Sequence, residues 1–186
     1  TIEFIDKILD AGVKVLKIEG RGRSADYVKT VTRCYKEAVE AWQSGTFNPE
    51  RTEAWLKSLR KVYNRGFWDG YYLGRKMGEW TKQYGNLATH KKVYIGKITN
   101  YFTKLKVAEI RIETGDLEVD DEIRIIGPTT GVYEGHASEI RLDNKPVKMV
   151  KKGDICSIPV DEFLRRSDKL YKVIPASQIR NDGQQW

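Results

Sequence analysis

The sequence predicts an α+β protein: N-terminal helices with one strand, a helical connector, and then a small closed antiparallel β-barrel. Three observations predict it. Before position 63 apolar residues recur at helical spacing, interrupted by one β-branched run. Between 63 and 80 glycines alternate with aromatic residues. From Val93 onward short apolar runs alternate with turn residues, at the spacing of an all-β unit. The predicted boundaries are 1–45 for a helix–strand–helix unit, 46–91 for the connector, 92–175 for the barrel and 176–186 for a frayed polar tail.

Ile2, Phe4, Ile5, Ile8 and Leu9 outline the first helix, and Gly12 is placed to end it. Val13-Lys14-Val15-Leu16-Lys17-Ile18 is short and β-branched and predicts a strand. Glu19 to Arg23 read as a turn, and Ser24 as the cap of a second helix that places Val28, Val31, Tyr35, Ala38 and Trp42 on one face. Asn48-Pro49 combines a capping residue with proline at the first helical position. Trp55, Leu56, Leu59 and Val62 supply the buried stripe of that third helix. Gly66, Gly70, Gly74 and Gly78 follow at intervals of four, each costing about 1 kcal/mol in a helix relative to alanine. A bent or broken helical segment is expected there.

In the second half the predicted strands are 93–100, 105–112, 122–126, 132–141, 146–149, 154–160 and 169–174. Gly115-Asp116, Gly127-Pro128, Asp143-Asn144 and Gly153-Asp154 mark turns between them. Closure into a barrel would remove exposed strand edges.

Composition excludes more than it identifies. No apolar run approaches the roughly 18 residues of a membrane-spanning helix. Cys34 and Cys156 are too isolated for a disulfide framework or a metal motif, and His90 and His136 stand equally far apart. Residues 1–92 hold 18 Lys/Arg against 11 Asp/Glu, a surplus of +7, whereas residues 93–186 hold 15 of each. A basic half of this kind suits an anionic partner such as nucleic acid, and equally a solvated lysine-rich surface. Thr1 begins mid-pattern, so a piece of a longer protein is expected.

Two resemblances add to this reading. Val93-Tyr94-Ile95-Gly96-Lys97-Ile98, Gly115-Asp116-Leu117, Asp121-Glu122-Ile123, Thr129-Thr130-Gly131 and Lys152-Gly153-Asp154 resemble the second-domain barrel of translation elongation factors. Ala11-Gly12-Val13, Lys17-Ile18-Glu19-Gly20-Arg21, Ser24-Ala25-Asp26-Tyr27-Val28 and Asn64-Arg65-Gly66-Phe67 resemble the collagenase-like peptidase family U32. The second resemblance implies that 1–45 is the last unit of a TIM-like barrel, whose missing N-terminal part is a partner of this chain. It also implies a peptidase name, cytoplasmic location, and relatives that act in RNA or quinone-precursor hydroxylation. The cysteine-rich signature of that family is not matched by Cys34 or Cys156. No cofactor is therefore expected in this piece, and any metal or iron–sulfur cluster would belong upstream.

If 13–18 is the last barrel strand, Lys17, Glu19, Arg21 and Arg23 emerge at the barrel mouth as candidate catalytic or anion-binding residues. A Glu19–arginine pair that merely fixes the turn fits as well. Arg65, Phe67, Trp68, Tyr71, Tyr72, Arg75 and Lys76 form a candidate nucleic-acid platform, or else an interdomain core. The expected function is a C-terminal accessory part of a U32 peptidase that positions substrate and is not catalytic alone. The alternative is an RNA-binding module of a hydroxylation enzyme in the same family. An unpaired strand at 13–18 would also suit pairing with a second copy.

Overall fold

The computed structural model describes residues 1–67, 72, 74 and 86–181. The chain divides into two units, Thr1–Thr89 and His90–Trp186.

In the first unit a 3-10 turn at Ile2–Phe4 leads into α1 (Ile5–Asp10), followed by α2 (Ala25–Gln43) and α3 (Pro49–Lys61). Gly12 ends the first helical stretch with φ of +89°, a conformation that costs glycine little. The apolar stripe of α2, Val31, Cys34, Ala38 and Ala41, packs on Trp55, Leu56 and Leu59 of α3 and on Ile2 and Ile5. Each of the larger side chains contributes about 1.5–3 kcal/mol through burial. Two indole hydrogen bonds fix the helices laterally: Trp42 Nε1 donates to Asp10 Oδ1 at 2.8 Å, and Trp55 Nε1 donates to Glu37 Oε2 at 2.8 Å. Asn48 caps α3 by accepting from the Arg51 N–H at 2.9 Å, with Pro49 at the first helical position.

The expected strand at 13–18 is not formed. The run belongs to no sheet, and Val15 is 81% exposed. Its β-branched residues have the right preference, but strand stability comes from lateral pairing, and no described residue pairs with it in a ladder. Only Ile18 leans onto the helical core.

The second unit contains β1 (His90–Phe102), β2 (Val107–Ile112), β3 (Asp116–Glu118), β4 (Glu122–Gly127), β5 (Gly131–His136), β6 (Ile140–Leu142), β7 (Lys145–Val147), β8 (Met149–Lys151), β9 (Ile155–Pro159) and β10 (Lys169–Pro175). Eight of them form one antiparallel sheet in the order β5-β4-β10-β1-β2-β9-β6-β7, and β3 pairs with β8 separately. The sheet wraps one core in which Ile98, Ile110, Ile123, Ile125, Ile140, Ile158 and Leu170 are fully buried.

The expected closed barrel is not observed, because β5 and β7 end the sheet without pairing to each other. The predicted strand at 132–141 breaks at Ala137, whose N–H donates to Asp121 O at 3.0 Å and whose carbonyl accepts from Asp120 N at 3.0 Å. These bonds draw the chain out of the sheet between β5 and β6. The β7 edge is only three residues long and carries Pro146, which has no N–H to offer another strand. The predicted strand at 146–149 likewise divides into β7 and β8. Ala176–Asn181, the described part of the predicted tail, form a 3-10 helix, and residues 182–186 lie outside the described residues.

Candidate substrate groove

A cavity of about 310 Å³ lies in the first unit, between α2 and the chain that leaves α3. Its apolar lining is Ile2, Val31, Leu56, Leu59 and Val62, and Arg23, Tyr27, Tyr63, Arg65 and Phe67 also border it.

Local sequence explains why these groups converge. Val62 is 3% exposed and adopts extended backbone, so the chain turns away from α3 directly before Tyr63. Asn64 then organises the turn: its Nδ2 donates to Val62 O at 3.0 Å and its Oδ1 accepts from Gly66 N at 3.2 Å. Asn86 Oδ1 accepts from both Asn64 N (3.2 Å) and Ala88 N (3.0 Å), which staples the turn from behind. Arg23 comes from the turn before α2, closed by its N–H to Gly20 O at 3.0 Å.

Tyr63 joins the two arginines. The Arg23 guanidinium carbon stands 4.0 Å from the Tyr63 ring centroid, and Arg65 Nε donates to the Tyr63 hydroxyl at 2.8 Å. Arg23 also lies 5.9 Å from the Tyr27 ring. The hydrogen bond from Arg65, with Arg23 adding to it, holds the Tyr63 phenol below its ordinary pKa. Cation–π contacts at exposed sites contribute about 0.5–1 kcal/mol. Among the described residues neither arginine forms a salt bridge, so two positive charges converge on one neutral ring. Glu3 is the acidic residue of the lining. An arginine stays protonated at neutral pH, so this arrangement binds and orients an anion rather than moving protons.

The sequence candidates divide three ways. Arg23, Arg65 and Phe67 meet at the groove. Lys17, Glu19 and Arg21 do not: they are exposed, and Glu19 Oε1 accepts from Arg21 N at 2.8 Å within its own turn. Tyr72 is 69% exposed, and its ring lies tilted at 56° to that of Phe4, with centroids 6.2 Å apart. Trp68, Tyr71, Arg75 and Lys76 lie outside the described residues. Sequence reasoning missed Tyr63 and Tyr27. The signal was available, since Tyr63 abuts Asn64-Arg65-Gly66-Phe67 and Tyr27 sits one turn before Val31.

Among the described residues no group of three or more His, Cys, Asp or Glu side chains is placed to hold a metal ion. Burial pushes the Cys34 thiol above its ordinary pKa and that of Cys156 up to about 12. No described helix is long and apolar enough to cross a membrane.

Residues 1–82 match the model of Peptidase family U32. A collagenase of Porphyromonas gingivalis is 55% identical over 172 residues, covering 92% of this chain and 42% of that protein. An uncharacterized protease of Methanocaldococcus jannaschii is 34% identical over 173 residues, covering 91% of this chain and 42% of that protein. A tRNA hydroxylation protein of Bacillus subtilis is 25% identical over 159 residues, covering 81% and 37% respectively. The chain therefore spans less than half the length of these relatives. With its first 82 residues matched by the family model and nine-tenths of its length aligned with a collagenase, the chain is similar to members of peptidase family U32.

Proposed function

We propose that this chain is the C-terminal accessory part of a collagenase-like U32 peptidase, and that it positions substrate while the central catalytic groups lie in a preceding barrel. The observation that carries this reading is the Arg23–Tyr63–Arg65 cluster above an apolar floor, which suits a ligand with both charged and apolar parts. The 55% identity to a collagenase supports the peptide side. Any metal or iron–sulfur cluster belongs to the preceding barrel in this reading. In the longer protein, replacing Arg23 and Arg65 together by alanine should raise KM for denatured collagen and leave kcat nearly unchanged, as expected when uniform binding is lost. The 186-residue chain alone should cleave neither denatured collagen nor casein. Robust cleavage by the chain alone would overturn the accessory role.

A second reading, an RNA-binding module of a hydroxylation enzyme, draws on the +7 surplus of residues 1–92 and the relative named for tRNA hydroxylation. It requires transfer-RNA binding that weakens as salt rises, because neutralised phosphates release counterions. Undetectable binding at low salt, or binding unchanged by Arg65→Ala, rules it out.

A further inference from the structure

We propose that the groove captures the free C-terminal carboxylate of a peptide, with the apolar side chain of its last residue on the cavity floor. This deepens the peptide reading above and rests on it. The charge pattern is the first argument. The bond to Tyr63 uses Nε of Arg65, which leaves both terminal nitrogens of that guanidinium to meet a ligand. Arg23 approaches Tyr63 over the ring and has no salt bridge among the described residues. Guanidinium groups match the planar geometry of a carboxylate and bind it through paired hydrogen bonds.

The floor decides which anion fits. Val31, Leu56, Leu59 and Val62 are between 3% and 8% exposed, and their side chains have no donor or acceptor. A ribose or a second phosphate pressed onto them would lose water without a replacement partner. An aliphatic side chain would gain from the same contact. Glu3 in the lining adds a further bias, since it repels a phosphate dianion more than a single carboxylate charge.

Arginines and an apolar floor lining one cavity suit a chain end better than an internal acidic residue. At a C-terminus the carboxylate and the side chain leave the same Cα, so one residue reaches the rim and the floor together. Peptide-bond hydrolysis leaves such a carboxylate on the N-terminal fragment. The ligand class is thus a cleaved or trimmed peptide.

The test is calorimetric titration of the 186-residue chain with an N-acetylated tetrapeptide ending in leucine, as the free acid and as the amide. The free acid should bind at least about tenfold more tightly, the scale of losing charge-assisted hydrogen bonds. That preference should vanish in Arg65→Met and shrink in Arg23→Met, with circular dichroism confirming that each variant folds. Equal binding of acid and amide by the unmodified chain overturns the proposal without reference to any variant. So does displacement of the free acid by a dinucleotide, or by inorganic phosphate at the same concentration as the acid. If the double arginine variant raises KM for denatured collagen but acid and amide bind alike, only the capture of a chain end fails. If acid is preferred but KM does not move, the capture stands and the substrate-positioning role fails.

Discussion

A Cβ added to Gly127 would stand 1.8 Å from Oδ1 of Asp168, so the β4 terminus and the buried carboxylate occupy adjoining space that only glycine leaves open. Asp168 is 2% exposed. Its Oδ2 accepts from Thr130 Oγ1 at 2.6 Å and from Arg165 N at 2.8 Å, and its carbonyl accepts from Ile98 N at 2.9 Å. One side chain thus ties the β4–β5 turn to the loop before β10. Gly127→Ala should destabilise the second unit by about 3 kcal/mol, through overpacking and displacement of the carboxylate. Thr130→Val should cost about 2 kcal/mol by removing a hydrogen bond to a buried charged group. Urea unfolding of both variants measures the two losses, and a Gly127→Ala protein as stable as the parent would contradict the packing.

Two tyrosines should titrate at opposite ends of the alkaline range. Burial first, and then the hydrogen bond to Glu113 Oε2 at 2.6 Å, push the Tyr94 phenol up to about 12. Tyr63 is pulled down by its arginine neighbours. Above the ordinary phenol value of 10.0 the unfolded chain releases the Tyr94 proton while the folded chain keeps it. Folding stability from this group therefore falls as pH rises from about 10 to about 12. Absorbance at the tyrosinate band should show Tyr63 among the first phenols to ionise, and Arg65→Met should delay it. Tyr94→Phe should remove a late-titrating phenol and flatten the alkaline loss of stability. Glu113 works at the acid end: Lys97, whose Nζ is 2.8 Å from Oε1, holds its carboxyl below the ordinary 4.5. Its contribution is lost as pH falls through the acid range below that value.

Local signals made the helices legible and left the sheet topology hidden. Asn48-Pro49 marks the start of α3 because the cap and the proline act within one turn, and the stripe at 55, 56, 59 and 62 follows from helical period alone. The split of 132–141 was invisible because its cause is a pair of bonds between Ala137 and a turn some sixteen residues earlier. The run at 13–18 has strand preference without a strand, since pairing depends on neighbours that local sequence does not specify. At the groove, Arg65 and Arg23 were legible as charges flanked by glycine. Their meeting was not, because it depends on Tyr63 being turned toward α2 by Asn64 and Asn86.

The two thiols should be inert in the folded chain. Cys34 is 1% exposed beside the Trp55 carbonyl, with its sulfur 3.9 Å from that oxygen, and Cys156 is 2% exposed in the sheet core. Burial disfavours both thiolates, and the thiolate is the reactive form. A thiol-specific chromogenic reagent at pH 8 should register neither cysteine before denaturation and both after it. Fast reaction of Cys34 in the native chain would show that α2 and α3 separate readily.

Val13 to Ile18 offers the sharpest contrast between this chain and the longer protein proposed above. Val13 is 41% exposed, Val15 81% and Leu16 37%, and the nearest backbone bond runs from Val13 N to Ile8 O at 3.4 Å. In the 186-residue chain these amides should exchange with solvent near the rate of an unstructured peptide. Val15→Lys should alter stability by less than about 0.5 kcal/mol, as exposed substitutions do. In the longer protein the segment would close a barrel as a strand, so the same amides should be protected and Val15→Lys should cost about 2 kcal/mol or more. Light scattering separates the remaining occupant: a dimer of the 186-residue chain abolished by Val15→Lys would mean that a second copy supplies the pairing strand. Fast exchange of 13–18 in both proteins would deny the segment any strand partner at all.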